Sequence, residues 1–177
     1  MQAKLSPEFT AGISYSLNDA KFKKFDDSEA ANLFGDPSVA GKLVPNISRN
    51  QVAAFAEYVR PVSNSLDFTA RADLSFNESK FAQIYNLAET GDKILLNLRA
   101  GIKSENWNFT VFVDNVTNNR APSTVIRWVD QLNLNVPQVV NANPAQNNVP
   151  GTTTSERGFQ YPLARKRQFG MTLGYNF

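Results

Sequence analysis

Six stretches of this chain alternate apolar and polar side chains at every second residue, and no charge sits mid-stretch in an apolar phase. A period of two is the signature of a β-strand whose side chains point by turns into two environments. In 9–17, Phe9, Ala11, Ile13, Tyr15 and Leu17 oppose Thr10, Gly12, Ser14 and Ser16. In 51–59, Val52, Ala54, Ala56 and Tyr58 oppose Glu57, with Phe55 breaking the polar phase. The stretch 65–76 sets Leu66, Phe68, Ala70, Ala72, Leu74 and Phe76 against Asp67, Thr69, Arg71, Asp73 and Ser75. In 93–103, Ile94, Leu96, Leu98, Ala100 and Ile102 oppose Asn97, Arg99, Gly101 and Lys103. In 106–115, Trp107, Phe109, Val111 and Val113 oppose Asn108, Thr110 and Asp114, with Phe112 a second apolar intruder. The stretch 167–177 closes on Phe169, Met171, Leu173, Tyr175 and Phe177, interleaved with Gln168, Gly170, Thr172, Gly174 and Asn176. An ordered strand at this point holds down residues that most domains leave slack.

A face kept free of charge for about ten residues per strand, tilted by about 40°, covers roughly the 25 Å of a lipid-facing band. The connections point the same way. Only PVSNS separates the second stretch from the third and SEN the fourth from the fifth, whereas 18–50, 77–91 and 116–164 are long. Alternating short and long connections put the tight turns at one end of an up-and-down sheet and the loops at the other, as in outer-membrane barrels. Six strands in this order place both termini on the short-turn side. The loops carry turn formers, Gly35, Pro37, Gly41 and Pro45 in the first and Pro137, Pro144, Pro150 and Gly151 in the last. Residues 29–34 read as one helical turn, and 124–136 as an extra hairpin arm.

Composition narrows the chemistry. A chain of 177 residues suffices for one domain, and eighteen basic against sixteen acidic residues, without a basic run, give no reason to expect nucleic acid. With no Cys and no His, disulfides, thiolates, imidazole bases and the usual zinc ligands are excluded, so neither an enzyme nor a metal or cofactor is expected. No apolar run reaches the length of a transmembrane helix. The opening MQAKLSPEFT lacks signal-peptide features, so the chain reads as unexported, mature or partial.

The candidate site residues are the polar-phase charges Glu57, Asp67, Arg71, Asp73, Arg99, Lys103 and Asp114. They are expected to face a lumen, and of them Arg71, Asp73, Arg99 and Asp114 can face one another across neighbouring strands, more as a wall of ion pairs than as a ligand site. Tyr15, Tyr58, Trp107, Tyr175 and Phe177 lie near strand ends, where amphipathic rings suit a membrane interface. Arg165, Lys166 and Arg167 mark the point where the last strand leaves its loop.

Several stretches together resemble the C-terminal barrel portion of TonB-dependent outer-membrane receptors: GKLVPN, AEYVRPVSNSLDFTARADLSF, LLNLRAGI, NWNFTVFVDNVTN with its Asn115, Val116, Thr117 run, and ARKRQFGMTLGYNF. The resemblance covers nearly the whole chain, 1–177. It implies an all-β, antiparallel, up-and-down transmembrane segment of about six strands from a 22-strand barrel, without the plug, TonB box and signal peptide. It further implies import across the bacterial outer membrane of an iron-siderophore, cobalamin or glycan, powered through TonB. The terminal strand, Phe169, Met171, Leu173, Tyr175 and Phe177, would be the signal read by the barrel-assembly machinery. Two other readings stay open from the residues: a soluble β-sandwich binding module, and another outer-membrane barrel such as a porin or an adhesin.

Overall fold

The computed structural model of the chain describes residues 1–129 and 157–176. Its main body is one antiparallel sheet in the order β1-β2-β3-β4-β5-β6-β9. The strands are β1 (Gln2–Lys4), β2 (Phe9–Leu17), β3 (Asn50–Ser63), β4 (Leu66–Asn77), β5 (Lys93–Lys103), β6 (Trp107–Asp114) and β9 (Gln168–Tyr175). A separate two-stranded ribbon joins β7 (Ile126–Val129) to β8 (Arg157–Gln160). Each of the six alternating stretches is a strand, and each pairs with its neighbour along the chain apart from the β7–β8 excursion. The fold is therefore an up-and-down sheet.

The sheet has seven strands, not six, because Gln2–Lys4 pairs with Thr10–Gly12. Three residues are too few to show a period, so β1 carries no sequence signal of its own. Its turn is held by the Ser6 hydroxyl oxygen, which accepts from the backbone N–H of Glu8 and of Phe9. The added strand also moves the N-terminus: Met1 exchanges two hydrogen bonds with Ile13, both 2.9 Å, halfway along β2. The chain start therefore lies at mid-height rather than at the short-turn end. The asymmetry of connections holds, with 5–8, 64–65 and 104–106 at one end and 18–49, 78–92 and the excursion after β6 at the other.

The long connections fold against each other. Helix α1 (Ser28–Phe34) starts where the Asp27 carboxylate accepts from Ala30 N–H and stops at Gly35, whose φ of 76° a side chain would strain. Leu43 and Asn86 exchange two hydrogen bonds between loops, 2.7 and 2.9 Å, and the Phe34 and Tyr85 rings meet edge-on at 5.6 Å. Ala30, Val39, Tyr85 and Val125, the buried apolar residues among those described, all belong to this end. Of the expected arm at 124–136, Ile126–Val129 form β7, which pairs with Arg157–Gln160, and 130–136 lie outside the described residues.

Among the described residues the sheet has no second layer. Ile13, Leu98, Val111 and Met171 on its apolar phase are 55%, 39%, 47% and 75% exposed, and β7–β8 contacts none of its strands. A sandwich needs a facing sheet on that side, and among the described residues there is none.

The two intruding aromatics have a local cause. Phe55 lies directly across from Gly12, and Phe112 across from Gly170. Each ring occupies the space that a Cβ on the facing glycine would need. An aromatic folded over a cross-strand glycine covers bare backbone and pins the register. Gly170→Val should therefore cost about 1–3 kcal/mol through overpacking, read as a lowered denaturant midpoint of the detergent-refolded chain. Adding Phe112→Ala should recover part of that loss, and independent, additive effects would contradict the pairing.

Candidate functional site: two faces of one sheet

The register places every predicted charge on one face. Glu57, Arg71 and Arg99 form one row across β3, β4 and β5, continued by Phe112 and Gly170. Asp73 lies one step along β4, opposite Asn97, and Asp67 faces Lys103 near the short turns. Asp114 stands apart, opposite Gln168 at the loop end.

Only part of this set converges. The Arg71 guanidinium donates from Nε to both Asp73 carboxylate oxygens at 3.0 Å and from Nη2 to Oδ1 at 2.8 Å. Its Nη1 lies 3.5 Å from Glu57 Oε1, and its carbon sits 4.7 Å from the centre of the Phe55 ring. Arg71 thus satisfies two carboxylates while lying on the aromatic that covers Gly12. Because all three charged side chains are about a third or more exposed, their pairing contributes little to stability. Arg71→Met should lower it by less than about 1 kcal/mol, and a loss of several kcal/mol in the same unfolding assay would mean the cluster is a structural core. No three acidic side chains among the described residues converge on a metal-sized space.

A second polar feature escaped sequence reasoning. At the loop end a recess of about 490 Å³ lies over Lys93, Asn97, Arg99 and Asp114, and Arg165 and Lys166 reach it from the chain before β9. Lys93, Asn97 and Arg99 share a strand phase, which the sequence displays; the arrival of Arg165 and Lys166 depends on a turn that it does not.

That turn is the Asn115–Val116–Thr117 run. Asn115 has a left-handed φ of 55° and is 6% exposed. Its Nδ2 donates to the carbonyls of Asn119 and Arg165 at 3.0 and 2.9 Å, and its Oδ1 accepts from Asn119 N–H and the Thr117 hydroxyl, both at 3.0 Å. Asn118 accepts from Arg167 N–H at 3.1 Å. The exit of β6 is in this way tied to the entry of β9.

The opposite face is largely apolar from β2 to β9, with Arg60, opposite Phe68, its one charged side chain among the described residues. Phe169, Met171, Leu173 and Tyr175 pair with Val113, Val111, Phe109 and Trp107. Phe177 lies outside the described residues. Strands β1 and β9 end the sheet, each with one edge unpaired among the described residues.

No protein-family model matches this chain, and no curated protein does either. A solved structure does. The crystal structure of the ferric yersiniabactin uptake receptor FyuA from Yersinia pestis aligns with 99% of this chain at a TM-score of 0.63 and 13% sequence identity. The fold is that of a barrel segment. The chain spans 22% of the length of FyuA.

Proposed function

We propose that the chain is part of a TonB-dependent receptor of the bacterial outer membrane, and that its sheet is one sector of a 22-strand wall through which a scarce nutrient is actively imported. The observation that carries this reading is the uncovered apolar face, backed by a charged face and joined by short turns at one end only. Lipid solvates the first face. The second, with Glu57, Asp67, Arg71, Asp73, Arg99, Lys103 and Asp114, borders the lumen. The likeness to a siderophore uptake receptor supports the transport role, and an iron-siderophore is the first substrate to try, ahead of cobalamin or a glycan.

In this reading 1–177 forms the C-terminal part of the barrel and carries out no chemistry on its cargo. Plug and TonB contacts belong to other parts of the receptor. Two open edges in lipid would strand backbone N–H and C=O groups, so β1 and β9 complete their ladders against the rest of the wall. Phe169, Met171, Leu173, Tyr175 and Phe177 act as the address for the barrel-assembly machinery.

The test is refolding of the chain with and without lipid vesicles. A gain of β-structure that requires lipid is the expected result, without the heat-modifiable migration on a gel that a closed barrel would show. A soluble monomer that unfolds cooperatively in plain buffer overturns the reading.

A further inference from the structure

Strand β3 runs on to Ser63, and this extension sets Arg60 opposite Phe68, in the apolar phase. Among the described residues Arg60 is the one charged side chain on the apolar face of the large sheet. It is exposed, and its guanidinium has neither an ion pair nor a hydrogen bond. One row further from the short turns begins a shallow depression of about 840 Å³, floored by Ala56, Ala70, Ala72 and Ala100 and flanked by Tyr58 and Met171. The small floor arises because β3, β4 and β5 each place alanine at neighbouring register positions, Ala56↔Ala72 and Tyr58↔Ala70↔Ala100.

We propose that this is the seat of a single phospholipid, its phosphate on Arg60 and an acyl chain lying in the alanine trough. The proposal rests on the reading of this face as lipid-facing and adds a defined position to it. Successive rows on one face are about 7 Å apart along a strand, so the trough begins about that far inward of the cation, where a headgroup gives way to its chains. A guanidinium matches the paired oxygens of a phosphodiester. Side chains no longer than Cβ leave room for methylenes between taller neighbours. Charge argues against a second copy as occupant: two such faces packed together would bury each Arg60 against a surface with no carboxylate to meet it.

The experiment is native mass spectrometry of the chain extracted from vesicles of equal parts phosphatidylethanolamine and phosphatidylglycerol. The unaltered chain should retain one phospholipid. Arg60→Gln should lower the retained fraction about tenfold, the loss of one charge-assisted contact. Ala72→Phe, which fills the trough on a face where lipid can yield, should do the same. Lys103→Gln, a cation near the same end on the opposite face, should change nothing. Retention at the level of the unaltered chain in Arg60→Gln or in Ala72→Phe overturns the site, as does a lipid-free dimer. A chain that inserts but retains no lipid removes the site and leaves the barrel reading standing, whereas failure to enter the vesicles removes both.

Discussion

Leu98→Arg should prevent the chain from entering a bilayer while leaving Arg99→Leu, one residue away, able to enter. Leu98 lies in a row with Ala72 and Val113, midway along β5 on the uncovered face, and Arg99 lies in the charged row with Arg71. Arginine at the midplane on the lipid side of a barrel costs about 2–4 kcal/mol, whereas a leucine facing water in the lumen removes a charge that has Arg71 as its cross-strand neighbour. The measure is the fraction of protein that floats with vesicles after refolding. In a sandwich Leu98 would be core, and its replacement by arginine would destroy a soluble fold. Recovery of Leu98→Arg in vesicles at the level of the unaltered chain would contradict the assignment of faces.

Asn115→Ala should destabilise the refolded chain by about 3 kcal/mol. The side chain makes four hydrogen bonds at a nearly buried position. Thr117 and Arg165 are exposed, so water takes over their share, and the two bonds to Asn119 contribute about 1 kcal/mol each. Alanine also takes up the left-handed backbone at a cost of about 1 kcal/mol. Asn115→Gly removes the hydrogen bonds and keeps the backbone at ease, so it should recover about that last share. Denaturant midpoints in detergent micelles measure both variants. If alanine and glycine unfold together near the unaltered midpoint, the turn does not hold β9 to β6.

What could be read beforehand follows from distance along the chain. Alternation is local, so β2, β3, β4, β5, β6 and β9 were all visible, as was the segregation of Glu57, Arg71 and Asp73 from Leu74 and Leu98. Short turns then made neighbouring strands partners. Phe55 and Phe112 looked like defects because their reason lies across the sheet, in Gly12 and Gly170; only the register joins them. Arg60 carries no sequence signal because the alternation ends at Val59, and the last residues of β3 are held by pairing with Phe68, Asp67 and Leu66. The β7–β8 ribbon and the Asn86–Leu43 contact join segments about thirty to forty residues apart with no period between them. The likeness of the Asn115 run to a family pattern flagged the segment, but its function as a tie between β6 and Arg165 required coordinates.

The central claim, that one face of this sheet meets lipid and the other water, is tested most directly by spin labels at single cysteines along β5. The chain contains no native Cys, so each label from Ile94 to Ile102 can be placed alone in the vesicle-bound protein and its access to oxygen and to a water-soluble nickel complex compared. The account predicts strict alternation, with oxygen dominating at Ile94, Leu96, Leu98, Ala100 and Ile102 and nickel at Leu95, Asn97, Arg99 and Gly101. Uniform access to nickel, or the loss of both relaxants at the first set, as in a dry core, would contradict it.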